Sequence, residues 1–195
     1  MVVKGWGAVR SSSVAWVRPL VTAFLFAACV LCAHGQDVRP TEAQVKVAYL
    51  YKFGKFVRWP AERAVVSSFE ICILGRDPFG QVLDSTVAGE SMDGKKIAVR
   101  RLTRMQDAPS CKVLYISASE ASRLDVILPV ARHLALLTVS DMQGFAEQGG
   151  VIGLVTQDEK VRFELNRGAA EQSDLVLSSE LMKIASKVID KKSSP

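Results

Sequence analysis

EAQVKVAYLYKFGKFVRWP, residues Glu42 to Pro60, is too apolar and too aromatic for an ordinary surface helix. At roughly 100° per residue, Ala48, Trp59, Val45, Phe56, Tyr49, Phe53, Val57 and Leu50 share one arc about 200° wide, interrupted only by Lys46 and Lys52. A helix resting on a single sheet needs an apolar stripe of only about 100°. This one is therefore expected to touch two bodies, its own sheet and either another helix or another protein. The opposite side carries Val47, Tyr51 and Gly54 between Lys55 and Arg58, a basic and aromatic strip. Trp59-Pro60 is expected to close the helix, because a residue before proline is pushed out of the α region.

Upstream of the helix, Lys4, Arg10 and Arg18 precede an apolar run from Leu20 to Ala33 and the small-residue pattern Ala33-His34-Gly35. That layout predicts a secretory signal over residues 1–35 with cleavage after Gly35. A retained membrane anchor and a lipidated Cys29 are the alternatives. The leader holds three of the 25 basic residues and none of the 20 acidic ones, so the mature chain keeps an excess of two positive charges. The densest basic cluster, Arg100, Arg101 and Arg104, reads as a solvated strand end, and no nucleic-acid partner is expected. With 49% hydrophobic and 23% charged residues, the 195-residue chain has the balance of a folded protein with a real core.

Downstream, Phe69 to Leu74, Ile97 to Leu102, Cys111 to Ser117 and Leu134 to Val139 read as strands. A helix is expected from Asp77-Pro78 to about Val87, and another from a Ser119 cap to about Arg132, kinked at Pro129. Gly150 to Thr156 and Val161 to Leu165 then form an antiparallel hairpin. Arg167 to about Gln172 and Ser179 to Ile189 are read as closing helices, the latter with Leu181, Ile184, Ala185 and Val188 on one face. The fold class is α/β: a single domain over residues 36–190, a mainly parallel sheet flanked by helices, with a C-terminal hairpin, a terminal helix and a frayed tail at 191–195.

Open parallel sheets bind ligands at the carboxyl ends of their strands, here Gly75-Arg76-Asp77, Ser117 to Glu120 and Ser140-Asp141. Neither G-x-G-x-x-G nor a P-loop lysine accompanies Gly75 to Gly80, so a tight turn explains that stretch better than a phosphate site. Ser117 stands where a receiver domain would carry its phosphoacceptor aspartate. His133 is the one histidine left after the leader, placed as a helix-end residue, and no G-x-S-x-G elbow goes with it. Glu62, Glu70, Glu164 and Glu171 are scattered across different elements and make no acid–base pair. Gly149-Gly150-Val151-Ile152-Gly153 reads as a structural turn. No catalytic residue, metal site or cofactor is expected. Cys72 and Cys111, on the first and third strands of an exported chain, suggest a disulfide, the alternative being two buried apolar thiols.

The run Val45 to Pro60 resembles the signature that opens the YfiR-like family of exported proteins. Phe69 to Gly80, Cys111 to Ser117, Gly149 to Val155 with Val161 to Asn166, and Leu177 to Ala185 are similar to that family's first strand, central strand, hairpin and closing helix. Lys52 and Gly54 stand where the family commonly has Asn and Ala. The resemblance implies a non-enzymatic regulator, located in the periplasm, that holds an inner-membrane diguanylate cyclase of the YfiN kind inactive by binding its periplasmic portion. It also admits a sensor kinase as partner and a homodimer. The best-understood member has a second disulfide near the hairpin, for which this chain has no cysteines. Tyr51, Lys55, Arg58 and Trp59 are the candidate partner-binding residues, since Tyr, Trp and Arg most often anchor interfaces. The alternative function is a periplasmic small-molecule sensor using the strand-end rim.

Overall fold

The structure, a computed structural model, describes residues 40–61 and 67–190. These fall within one compact unit. The expected leader with Cys29, Glu62, and the tail at 191–195 lie outside the described residues.

Helix α1 (Glu42–Phe53) opens with a capping box: Gln44 N donates to Thr41 Oγ1 at 3.3 Å, and Thr41 N donates to Gln44 Oε1 at 2.7 Å. It ends six residues earlier than its apolar pattern suggests. Gly54 begins a 3-10 turn through Phe56, and Val57–Arg58 is already the short strand β1. The glycine weakens the helix, and the β-branched Val57 and the residue preceding Pro60 both favour extended backbone. The buried stripe is also rotated from the expected one: Val47, Leu50, Phe53 and Gly54 are buried, while Val45, Ala48 and Tyr49 are only half-buried.

Beyond it come β2 (Ser68–Leu74), α2 (Gln81–Val87), β3 (Ser91–Met92), β4 (Lys95–Leu102), β5 (Cys111–Ile116), α3 (Leu124–His133) and β6 (Leu137–Ser140). The hairpin β7 (Ile152–Gln157) and β8 (Lys160–Asn166), α4 (Arg167–Gln172), β9 (Val176–Leu177), α5 (Ser179–Ile184) and β10 (Lys187–Ile189) complete the chain. Eight strands form one sheet in the order β10-β8-β7-β6-β5-β2-β4-β3, and β1 pairs with β9 in a separate two-stranded ribbon. Only the β3–β4 and β7–β8 pairs of the large sheet are antiparallel. All six residues of β5 are buried, as a central parallel strand covered on both faces requires.

The two faces carry separate cores. Val47, Leu50 and Phe53 of α1 pack with Ile71, Ile73, Val113 and Phe163 on one side. Leu114, Ile116 and Cys72 pack with Ile127, Leu128 and Ala131 of α3 on the other. Helix α1 does touch two bodies, β8 and α2.

Several boundaries differ from the expected ones for local reasons. Helix α2 starts at Gln81 because Asp77 is spent on a turn, its Oδ1 accepting from Phe79 N at 2.7 Å. The serine that caps the next segment is Ser117, and residues 118–123 form a 3-10 turn before α3, which runs through Pro129. Asp158 and Glu159 both adopt positive φ, so β7 and β8 meet in a two-residue turn matched to strand twist. The expected final helix stops at Ile184. Ser186 N and Oγ both donate to Phe163 O, at 2.9 and 2.8 Å, and the chain continues as edge strand β10 beside β8. Ile184 and Val188, expected on a buried face, are exposed.

Candidate functional site

The carboxyl ends of the parallel strands are filled by the protein's own side chains. The order in which strands are added to the sheet reverses between the parallel neighbours β2 and β5, where a ligand crevice would open. There Ser119 Oγ accepts from Arg76 N at 2.9 Å, and a Cβ on Gly75 would run into Ser119 Oγ and come within 2.8 Å of Glu120. Asp141, just past β6, accepts from Lys46 Nζ at 2.7 Å and from Tyr115 Oη at 2.6 Å, while Lys46 also pairs with Glu42 at 2.7 Å. Burial raises the Asp141 carboxyl, but the bonds from Lys46 and Tyr115 outweigh it and hold its pKa below the ordinary value. Burial lowers Lys46 as well, and its two carboxylate partners reverse this. Tyr115 is driven well above the usual phenol range, first by burial and then by Asp141. Arg101 closes the far side of this end through Asp77 at 2.9 Å and Asp84 at 2.6 Å.

Cys72 and Cys111 form a disulfide with Cα atoms 5.9 Å apart. The register explains how they meet. Glu70 pairs with Cys111 and Ile71 with Val113, so Lys112 is an extra residue in β5. A regular β5 would put Cys111 on the same face as Val113, away from Cys72. The bulge returns Cys111 to the α3 side, where both sulfurs are buried. Glu70 lies close enough to join both cysteines in a ligand cluster. Its carboxylate is already taken by Arg100 at 3.0 Å and Ser110 at 2.6 Å, and the sulfurs are bonded to each other.

The same bulge turns Lys112 towards Trp59, placing its ammonium 5.5 Å from the indole centroid with the residue 5% exposed. Trp59 is half-buried, edge-on to Phe69 at 5.6 Å, and its buried Nε1 is the one such side-chain polar atom without a partner among the described residues. Arg58, beside it on β1, is exposed. Tyr51 and Lys55 form their own pair, with Lys55 Nζ 4.9 Å above the Tyr51 ring and the Tyr51 hydroxyl donating to Glu90 at 2.7 Å. The strip expected on one helical face is therefore divided. Tyr51 and Lys55 stay with α1, and Arg58 and Trp59 leave on β1.

Two clefts flank β1 and share Val57 and Arg58. One, about 480 Å³, lies between Lys55 and the β9–α5 segment from Val176 to Glu180. The other, about 370 Å³, is lined by Trp59, Phe69 and Met92 together with Lys95 and the buried Lys112. The second lies by the amino end of the sheet, where β2, β4 and β5 begin. Phe69, Met92 and Lys112 were not singled out from the sequence. The lone lysine inside the apolar run CKVLYIS was the available signal.

The chain is a single α/β domain with a disulfide across two central strands of its sheet. The chain belongs to the YfiR/HmsC-like family, whose model matches residues 43–186; this is a family of periplasmic regulators. Among solved structures it is similar to a conserved domain protein from Vibrio cholerae, at 12% identity and TM-score 0.53, covering 76% of this chain and 60% of that one. A domain from Streptococcus pneumonia in complex with L-Trp (11% identity, TM-score 0.49, 75% and 60% covered) is also similar. So is a ligand-free, open substrate binding protein with adhesive properties from Clostridium difficile (11%, 0.48, 74% and 59%). The chain thus spans about three fifths of each. No curated protein matches it. Among the described residues no helix is long and apolar enough to cross a membrane.

Proposed function

We propose that this protein is a non-enzymatic regulator, exported to the periplasm by the segment 1–35, that represses an inner-membrane signalling enzyme through protein contact. The enzyme is a diguanylate cyclase of the YfiN kind, and repression lowers cyclic-di-GMP output. Family membership over residues 43–186 carries this reading. The geometry supports it in two ways. At the strand-end rim that a small-molecule sensor would use, Lys46, Asp141 and Tyr115 are bonded to one another and Ser119 lies against Gly75. Cationic and aromatic side chains instead gather around β1, where Arg58 is exposed beside Trp59. The buried disulfide suits an oxidising compartment.

The test is Tyr51→Ala and Arg58→Ala in cells carrying the cognate cyclase, with cyclic-di-GMP as readout and thermal melts as control. Arg58→Ala is expected to melt within about 0.5 kcal/mol of the parent, as an exposed substitution does, and to release the cyclase. Tyr51→Ala, which loses the Glu90 bond and the Lys55 contact, is expected to cost about 1–2 kcal/mol of stability as well. Two folded variants that repress fully would remove this surface from the account.

A further inference from the structure

We infer that the outer side of α3 is a self-association face: two copies of the chain pack their α3 helices antiparallel, with Val126, Pro129 and Val130 in the contact and Asp125 of each copy paired with Arg132 of the other. This contact does not depend on the repressor reading.

The two faces of the sheet are covered unequally. Among the described residues, α1, α2, α4 and α5 all send side chains into the core on one face, while α3 is the one α-helix that packs on the other. Its inner side, Leu124, Ile127, Leu128 and Ala131, is buried. Its outer side carries two of the five large hydrophobic residues that the described chain exposes, Val126 at 56% and Val130 at 42%, and Pro129 beside them is exposed as well. At roughly 100° per residue the outer arc runs Arg132, Asp125, Pro129, His133, Val126, Val130, so the two charges take one flank and the valines the other. Neither the Asp125 nor the Arg132 side chain has a bonded partner among the described residues.

The charges select a second copy of the chain over an unrelated partner. In a two-fold contact of antiparallel helices each flank meets the same flank of its mate. With the axis near Pro129, Asp125 and Arg132 lie about 5 Å along the helix on either side of it, four residues before and three after. Asp125 then falls beside the second copy's Arg132, and the reciprocal pair forms by symmetry. The same axis sets Val126 beside the second copy's Val130. A parallel arrangement would put Asp125 against Asp125 and Arg132 against Arg132, which like-charge repulsion disfavours. Helix α1 lies on the other face of the sheet, so this contact leaves the α1 surface of both copies free. A ten-residue helix is about 15 Å long, and a contact of that extent falls short of the roughly 1,000 Å² that marks a stable interface. The dimer is therefore weak and reversible.

The experiment is sedimentation of the protein purified from the periplasm, over a range of concentrations. A monomer–dimer equilibrium is expected, with a dissociation constant of about 10–500 µM that rises with salt. Val130→Lys should weaken it at least about tenfold. Asp125→Arg alone and Arg132→Asp alone should each weaken it at least about fivefold, while an equimolar mixture of the two should associate as the parent does, because only the mixed dimer restores both ion pairs. Each variant is checked to melt with the parent at a concentration where the parent is monomeric. A parent that stays monomeric up to about 1 mM would overturn the proposal. So would a mixture that associates no better than either variant alone. A dimer that survives Val130→Lys but is lost in Val188→Lys, at a residue 42% exposed on edge strand β10, would put the contact at the sheet edge and also overturn it.

Discussion

Asp141 is kept ionised by two donors that belong to different elements, Lys46 on α1 and Tyr115 on β5, and this makes it one of the side chains that fasten the first helix to the sheet. Its lowered pKa means the folded state binds the proton less readily than the unfolded chain. The stabilisation is therefore complete above the ordinary carboxylate range and lost as pH falls through the folded value. Lys46, raised, contributes below its ordinary range and loses that contribution only as pH climbs past its folded value. Asp141→Asn is expected to cost about 1.5–3 kcal/mol near neutral pH, the range for hydrogen bonds to charged groups. Urea melts of parent and variant should converge in acid. A deficit that persists once the folded carboxyl itself is protonated would assign the loss to packing rather than charge. Gly150 behaves differently, since its constraint is space: a Cβ there would overlap the ring of Phe145, which is 1% exposed. Gly150→Ala is expected to cost about 1–3 kcal/mol through overpacking, measured by the same melts. That supports the reading of the glycine run as structural.

At the scale of elements, β5 shows what the sequence could and could not convey. Its apolar run identified a buried strand, and two cysteines in an exported chain suggested a bridge. The face each cysteine occupies depends on the extra residue Lys112, and nothing in CKVLYIS marks a bulge, because its cause is pairing with β2. Helix α1 was legible in its start and its apolar weight. Its end was misplaced because Phe56, Val57 and Trp59 continue a helical period by accident while being better suited to extended chain. The same ambiguity merged α5 and β10, where the deciding bonds run from Ser186 to Phe163, 23 residues away. The candidate surface was half legible for the same reason: its residue types were found, but their grouping depended on where α1 stops. The disulfide closes a separation of 39 residues, for which chain entropy gives roughly 3–4 kcal/mol. The Cys72→Ala, Cys111→Ala double variant should lose about that much in denaturant melts. A loss below about 1 kcal/mol would mean the unfolded chain is already restrained there.

Across the whole molecule the two ends of the sheet have opposite characters. The carboxyl end is crossed by ion pairs and by Ser119 against Gly75, which tie the strand ends to one another and to α1. The amino end carries the cleft walled by Trp59 and Phe69, with the exposed Arg58 beside it and the indole Nε1 buried. If function lies at the amino end, an exposed cation at the other end should be dispensable. Arg76, exposed where the strand order reverses between β2 and β5 and bonded among the described residues through its backbone N–H to Ser119, is the comparison for Arg58. Arg76→Ala removes one positive charge, as Arg58→Ala does, so long-range charge effects are matched. It is expected to shift stability by no more than about 0.5 kcal/mol and to leave cyclic-di-GMP at the repressed level, while Arg58→Ala raises it. A well-folded Arg76→Ala protein that fails to repress would move the working surface to the strand-end rim and make the small-molecule sensor the better account.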